Sequence, residues 1–185
     1  MSKKWSLRNI ILIALIAIVC GVIFWLTSFI YNALTLILTP IGLAPAANDI
    51  SLGLWIVAGP LAGAIFKMPG VAIFSEVAGA VVEMFLGDQW GVMNVVSGLI
   101  QGAGAELGFA VTGYKKYGHF QLFLGSLFTT IITFIWDWFR NGYNAYGIGM
   151  VIILFIIRFI SVWVFSDPVS MAITKLLKRS HAITA

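Results

Sequence analysis

Apolar stretches close to the length that crosses a lipid bilayer are the feature that most constrains this chain. Of its 185 residues, 61% are hydrophobic and only 10% are charged, whereas soluble domains carry about 25% charged residues. A spanning helix needs roughly 20 predominantly apolar residues, and stretches near that length recur here between short charged or Pro/Gly-containing segments. The sequence therefore predicts an all-α integral membrane protein.

Six helices fit the sequence, as one membrane domain over residues 1–185. The first apolar stretch ends at Thr39-Pro40, a KMPG turn separates the second helix from the third, and YKKYGH separates the fourth from the fifth. The predicted helices lie at residues 7–38, 50–66, 71–86, 92–114, 120–138 and 146–176. The segment 39–49 is expected to be an outer loop that folds over the six-helix bundle.

Lysine and arginine are concentrated on one side of this bundle. That side comprises both termini and the connections after helices two and four, and it holds Lys3, Lys4, Arg8, Lys67, Lys115, Lys116, Lys175, Lys178 and Arg179. The connections on the other side hold only Arg140. The positive-inside rule then makes both termini cytoplasmic in a multi-pass protein of the cell membrane. A cleaved signal peptide ending at Ala44-Pro45-Ala46 is the alternative, but its apolar run would far exceed the usual ~7–15 residues.

Three glutamates and one arginine lie inside the predicted helices, where a charge costs at least ~2.5–3.5 kcal/mol. Glu76 and Glu83 are seven residues apart on helix three and share a face. Glu106 on helix four and Arg158 on helix six have similar predicted depths, so we expect a structural ion pair between them. Glu76 and Glu83 then remain free to face a ligand, with a solvated or purely structural carboxylate as the alternative.

Polar and aromatic residues gather toward the predicted outer ends of helices three to six. Asn94 and Gln101 share one face of helix four, while Trp90, Trp136 and Tyr146 lie near helix ends. Such aromatic residues are common at membrane interfaces, but they can also form a wall for a flat or cationic ligand. The expected substrate-binding residues are Glu83, Trp90, Asn94, Gln101, Trp136, Glu76 and Tyr146.

Small residues at four-residue spacing indicate close helix packing. For the pairs in helices two and four, the interpretation is packing within the bundle. For Ala17 and Gly21 on helix one, packing within the bundle and contact with a partner subunit both remain open.

Enzyme chemistry has no visible basis in the sequence. There is no G-x-x-x-x-G-K-[ST] loop for ATP. The two histidines, His119 and His181, lie in basic segments, so neither a membrane-embedded metal site nor a Ser-His-Asp triad can be assembled. We expect no enzyme activity, no cofactor, no metal and no nucleic-acid partner. The net charge of +4 is explained by the basic side of the bundle and its contact with the lipid bilayer.

The blocks GPLAGAIFKMPG, SEVAGAVVE, LGDQWG and QGAGAELGFA occur in an order that resembles the YkoE family. Members of that family are S components of energy-coupling factor (ECF) ABC transporters, linked to thiamine and its hydroxymethylpyrimidine precursor. The resemblance implies a six-helix S-component fold, a vitamin site near the outer face, and partners comprising a T subunit and two cytoplasmic ATPase subunits. It also implies an Ala-xxx-Ala contact surface for the T subunit on helix one, where this chain has Ala17-xxx-Gly21.

The sequence and the resemblance together predict a membrane subunit that captures thiamine or hydroxymethylpyrimidine for ATP-driven import. Carboxylates and amides suit the hydrogen-bonding edge of an aminopyrimidine, and aromatic rings suit the cationic thiazolium of thiamine. Two alternatives remain. One is a stand-alone proton- or cation-coupled carrier that uses the glutamates as a relay, and the other is a membrane scaffold without a ligand.

Overall fold

A computed structural model describes residues 5–180, so Lys3, Lys4 and His181 lie outside the described residues. Over that part of the chain the protein is all-helical, without a β-strand. The α-helices are α1 (Leu7–Leu38), α2 (Ala46–Ser51), α3 (Ala58–Phe66), α4 (Val71–Phe85), α5 (Met93–Ala110), α6 (His119–Arg140), α7 (Ile148–Val164) and α8 (Ser170–Arg179).

Within residues 5–180, four helical stretches are long and apolar enough to cross a membrane: Leu7–Ile41, Ala46–Phe66, His119–Arg140 and Ile148–Arg179. The other two long helices, α4 and α5, have 15 and 18 residues. At 1.5 Å per residue they are about 23 and 27 Å long, slightly short of a bilayer core of roughly 30 Å. The fold is therefore that of a helical membrane protein, while the count of six spans and the cytoplasmic termini stay predictions.

Two of the predicted helices are interrupted. The second begins earlier than expected and consists of α2, a 3-10 stretch at Leu52–Ile56, and α3. The sixth contains a π-helical segment, Phe165–Val169, around Pro168, because proline removes a backbone donor and clashes with the preceding turn. The segment 39–49 is consequently only partly a loop, since its last residues belong to α2 and Asp49 is fully buried.

The long helices pack in sequence around the short α3. Each helix contacts the next in the order α1, α4, α5, α6 and α7, and α2 contacts both α7 and α1, which completes the ring. Every residue of α3 is buried. Its small residues permit this burial, since a Cβ at Gly63 would run into the ring of Phe109 on α5. Close approach at small residues is a common packing mode for helices in lipid.

The small-residue pair on α1 belongs to this internal packing. Ala17 and Gly21 are both buried, and a Cβ at Gly21 would lie 2.6 Å from the Cβ of Val82 and 2.7 Å from the carbonyl oxygen of Gly79. The expectation that Ala17 and Gly21 contact a partner subunit is therefore wrong. Their small size serves the close approach of α1 and α4.

Candidate ligand-binding site

A cavity of about 330 Å³ lies at one end of the bundle. The ends of α1, α4 and α6, the start of α5 and the segments around α2 and Tyr143 contribute its walls. This volume falls within the range of small-molecule sites in proteins, roughly 300–1,000 Å³. Six of the residues predicted to bind a ligand line it: Glu83, Trp90, Asn94, Gln101, Trp136 and Tyr146.

Glu76 is the exception. Ala80, one helical turn closer to the end of α4, lines the cavity, whereas Glu76 does not and is fully buried. Its Oε2 accepts a hydrogen bond from the backbone N–H of Gly59 at 2.5 Å. The expectation of direct substrate binding by Glu76 is therefore corrected: this side chain links α4 to α3 below the cavity, because a buried carboxylate requires a donor.

Three aromatic rings form a wall around Glu83. The ring of Trp90 lies 5.2 Å from that of Tyr31 and 5.3 Å from that of Trp55, centroid to centroid and edge-on in both pairs. Trp55 Nε1 donates hydrogen bonds to Glu83 Oε1 at 2.9 Å and to the carbonyl oxygen of Phe24 at 3.0 Å. The indole thereby fixes the position of the carboxylate at the cavity.

Asp88, in the turn between α4 and α5, organises the neighbouring part of the wall. Its Oδ1 accepts from Ser28 Oγ at 2.6 Å, and its Oδ2 accepts from Asn94 Nδ2 at 2.7 Å and from the backbone N–H of Trp90 at 3.1 Å. Asn94 therefore uses one of its two amide N–H groups within the protein. Gln101 lines the cavity without a hydrogen bond to any described residue, so its amide is available to a ligand.

A buried cluster of charged residues, Arg158, Asp49 and Asp137, supports the part of the cavity wall that Asp137 forms. Arg158 is fully buried; its Nε donates to Asp49 Oδ1 and its Nη2 to Asp137 Oδ2, both at 2.6 Å. Tyr143 donates from its hydroxyl to Asp49 Oδ2 at 3.1 Å, and Asn48 donates from Nδ2 to Asp137 Oδ2 at 3.0 Å. Asp137, Asn48 and Tyr143 line the cavity, so Arg158 holds two of these lining residues, Asp137 and Tyr143, and joins them to α2 through Asp49.

The predicted ion pair between Glu106 and Arg158 is wrong. Glu106 accepts hydrogen bonds from the backbone N–H groups of Gly70, at 2.6 Å, and Ala72, at 2.9 Å. These donors lie where α4 begins, and the first N–H groups of a helix have no partner within the helix. A carboxylate is favourable at that position, so Glu106 is satisfied without a cation.

Carboxylates outnumber cations around the cavity. Arg140, at the end of α6, lines it and donates from Nη1 to Ser97 Oγ at 3.1 Å. The charged side chains that line the cavity or bond directly to its lining residues are Glu83, Asp88, Asp49, Asp137, Arg140 and Arg158. Among the described residues, four carboxyl groups therefore surround the cavity against two guanidinium groups, a surplus of acidic groups that favours a cationic ligand.

The lining residues that were absent from the predicted set include the polar and aromatic side chains of Tyr31, Asn48, Trp55, Asp137 and Tyr143. Asp137 had a visible signal, because it lies between two tryptophans near the end of a predicted span. Asn48 falls in the segment that was expected to be a loop. Tyr31 and Trp55 lie in apolar stretches, where a single aromatic residue gives no sign of facing a cavity.

Comparisons with known proteins agree with the fold. The family model described as "ABC-type cobalt transport system, permease component" matches residues 8–132. The Bacillus subtilis (strain 168) protein named "Putative HMP/thiamine permease protein YkoE" is 35% identical over 159 residues, which is 86% of this chain and 77% of that protein. A solved structure described as "Crystal structure of an S-component of ECF transporter" has a TM-score of 0.87 and 31% identity, over 96% of this chain and 88% of that one. The chain therefore belongs to the YkoE family of ECF-transporter S components.

Proposed function

We propose that this protein is the substrate-binding membrane subunit of an ECF-type ABC importer and that its cavity takes thiamine or hydroxymethylpyrimidine. The observation that carries the proposal is the composition of the cavity. An aromatic wall of Tyr31, Trp55 and Trp90, two lining carboxylates, Glu83 and Asp137, and the unpaired amide of Gln101 occur together in about 330 Å³. The relative named as an HMP/thiamine permease supports the choice of ligand.

The chemistry of an aminopyrimidine matches these groups. Its exocyclic amine donates hydrogen bonds, which Glu83 or Asp137 can accept, and its ring nitrogens accept hydrogen bonds, which the Gln101 amide can donate. The flat ring can stack on the tryptophans. In thiamine, the thiazolium adds a positive charge that aromatic faces and the surplus of carboxylates attract.

We further propose that the cavity opens at the outer face and that the segment after α1 covers it. Ala44 and Pro45 line the cavity, and Gly42, with φ of 74°, provides the left-handed conformation that reverses the chain after the 3-10 turn. The lysine and arginine residues that the positive-inside rule places in the cytoplasm concentrate at the other end of the bundle. The described N-terminal end, including Arg8, therefore belongs to the cytoplasmic side.

A mass spectrum of small molecules released from the purified protein tests the ligand assignment. The proposal predicts thiamine or hydroxymethylpyrimidine, recovered in an amount comparable with the protein. The family description names cobalt, but aromatic rings and amides suit an organic ring better than a metal ion. Recovery of an unrelated compound, or of a metal ion alone, would contradict the proposal.

Energy coupling requires a separate experiment. We propose that a T subunit and two cytoplasmic ATPase subunits drive import, because the chain lacks a P-loop of its own. Cells that express this chain with those subunits should accumulate labelled thiamine or hydroxymethylpyrimidine, whereas cells with an ATPase inactivated in its P-loop should not. Concentrative uptake into vesicles containing this chain alone, driven by a proton gradient, would instead establish the stand-alone carrier.

A further inference from the structure

We propose that a groove at the end of the bundle opposite the cavity binds the headgroup of an anionic phospholipid. The groove has a volume of about 650 Å³ and lies between the start of α6 and α8. Its basic lining residues are His119, Lys175, Lys178 and Arg179. The cavity described above reaches Arg140 at the other end of α6, so the two sites are separate.

The three strong cations of the groove lack acidic partners. Lys175, Lys178 and Arg179 are exposed, and none forms an ion pair with another described residue, whereas His119 pairs with Asp167 at 2.5 Å. Lys175 lies three and four residues before the other two cations, so all three share a face of α8. Like charges at this spacing repel each other, and a bound anion would relieve that repulsion.

The remaining lining favours a lipid over a soluble anion. Pro168, Met171 and Ala172 give the groove an apolar surface next to its cations. Phe120 and Leu176, which follow the basic residues His119 and Lys175 in the chain, are each 62% exposed. A phospholipid combines an anionic phosphate with apolar chains, so it can satisfy both kinds of surface at once, whereas inorganic phosphate can satisfy only the cations.

The position of the groove matches the depth of lipid headgroups. Two apolar stretches long enough to cross the membrane, His119–Arg140 and Ile148–Arg179, each have one end here. Basic pockets between membrane helices at this level are typical binding places for anionic headgroups. Because α6 begins at His119, the positive end of its dipole also lies at the groove and adds attraction for an anion.

Lys115 and Lys116 provide a matched control. They lie at the same end of the bundle, in the exposed segment before α6, but they do not line the groove. Substitution of both by glutamine removes the same charge as Lys175→Gln/Lys178→Gln. A comparison of the two double variants therefore separates binding in the groove from general attraction between a basic surface and anionic lipid.

Native mass spectrometry of the intact protein in detergent, titrated with phosphatidylglycerol or with phosphatidylcholine of the same acyl chains, provides the test. We expect the wild type and K115Q/K116Q to bind phosphatidylglycerol in preference to phosphatidylcholine. The K175Q/K178Q variant should bind phosphatidylglycerol about tenfold more weakly or worse, because each cation near an anionic lipid adds roughly fivefold in affinity. Melting temperatures should be equal in all three proteins, since the four lysines are exposed.

Three results would overturn the proposal. Equal weakening in both double variants would assign the attraction to diffuse charge, and undiminished binding in K175Q/K178Q would show that the groove is not the site. Loss of co-purifying T subunit from K175Q/K178Q, with phosphatidylglycerol binding retained, would make the groove a protein-docking surface. Selective weakening of phosphatidylglycerol binding in K175Q/K178Q would support the proposal.

Discussion

Single residues determine the geometry of the cavity wall. Trp55 and Arg158 both do so, but the first is an aromatic residue with one N–H donor and the second is a buried cation. Trp55 brings an apolar ring and one N–H donor, which it uses on Glu83 and on the carbonyl of Phe24. Arg158 brings a full charge, which two carboxylates balance. A buried charge without partners is costly, so Arg158 serves the stability of the wall, whereas Trp55 chiefly serves the position of one ligand-facing group.

Trp55→Phe should weaken ligand binding while leaving the fold intact. The phenylalanine keeps an aromatic ring against Trp90 but loses the N–H that holds Glu83 at 2.9 Å. A hydrogen bond to a charged group contributes about 1.5–3 kcal/mol, so thiamine affinity should fall by about tenfold or more. Isothermal titration calorimetry measures this, with Trp25→Phe as the control, because Trp25 packs on Phe29 along α1 away from the cavity. Equal affinity in wild type and Trp55→Phe would contradict the assigned role.

Arg158→Gln should lower the melting temperature strongly. Its loss leaves Asp49 and Asp137 buried without a cation, and removing one partner of a buried pair typically costs 3–5 kcal/mol. Arg140→Gln is the control at the same end of the molecule, because Arg140 is exposed and its substitution should change the free energy of unfolding by about 0.5 kcal/mol or less. Thermal unfolding followed by intrinsic fluorescence would contradict this account if both variants melted alike.

At the scale of helices, close packing of α5 on α6 aligns the cavity residues that these two helices carry. A Cβ at Gly104 would lie 2.5 Å from the Cα of Thr129 and 2.8 Å from its backbone nitrogen. A contact with the backbone cannot be relieved by rotating a side chain, so the two helices would have to separate. The glycine is thus required by the distance between the helices.

Gly104→Ala should therefore destabilise the protein by about 1–3 kcal/mol, the usual cost of overpacking. Gly149→Ala offers a matched helical control, because a Cβ at Gly149 meets nothing within 4 Å. Alanine favours a helix over glycine by up to about 1 kcal/mol, so Gly149→Ala should be neutral or slightly stabilising. Denaturation of both variants in the same detergent measures the difference, and equal destabilisation would show that the α5–α6 contact is looser than described.

The helices were more predictable from the sequence than the partners of the side chains inside them. The apolar pattern led to the all-helical membrane fold, and the spacing of Asn94 and Gln101 indicated a common face, on which both line the cavity. A similar predicted depth, however, does not tell which groups a side chain contacts, so Glu106 was wrongly paired with Arg158, which instead bonds to Asp137 near the end of α6. The partners of Glu106 are backbone N–H groups at the start of α4. Every residue except proline has such a group, so the residue types do not show which ones bind a side chain.

At the scale of the whole molecule, the cavity and the basic groove lie at opposite ends of the bundle. The ligand cavity with its surplus of carboxylates lies at one end of α6, and the basic groove lies at the other. The 22 residues of α6 set these ends about 33 Å apart, roughly the thickness of the bilayer core. This arrangement is consistent with the two proposals, a cationic vitamin bound at one end and an anionic lipid headgroup at the other.

Equilibrium binding of thiamine and of hydroxymethylpyrimidine to purified wild type, Glu83→Gln, Gln101→Ala and Gln89→Ala decides whether the cavity is the substrate site. Gln89 is an exposed glutamine that bonds to Asn32 and does not line the cavity, so it is matched to Gln101. We expect saturable binding to the wild type and to Gln89→Ala, and affinity lower by about tenfold in Glu83→Gln and in Gln101→Ala. Unchanged affinity in both Glu83→Gln and Gln101→Ala would contradict this expectation.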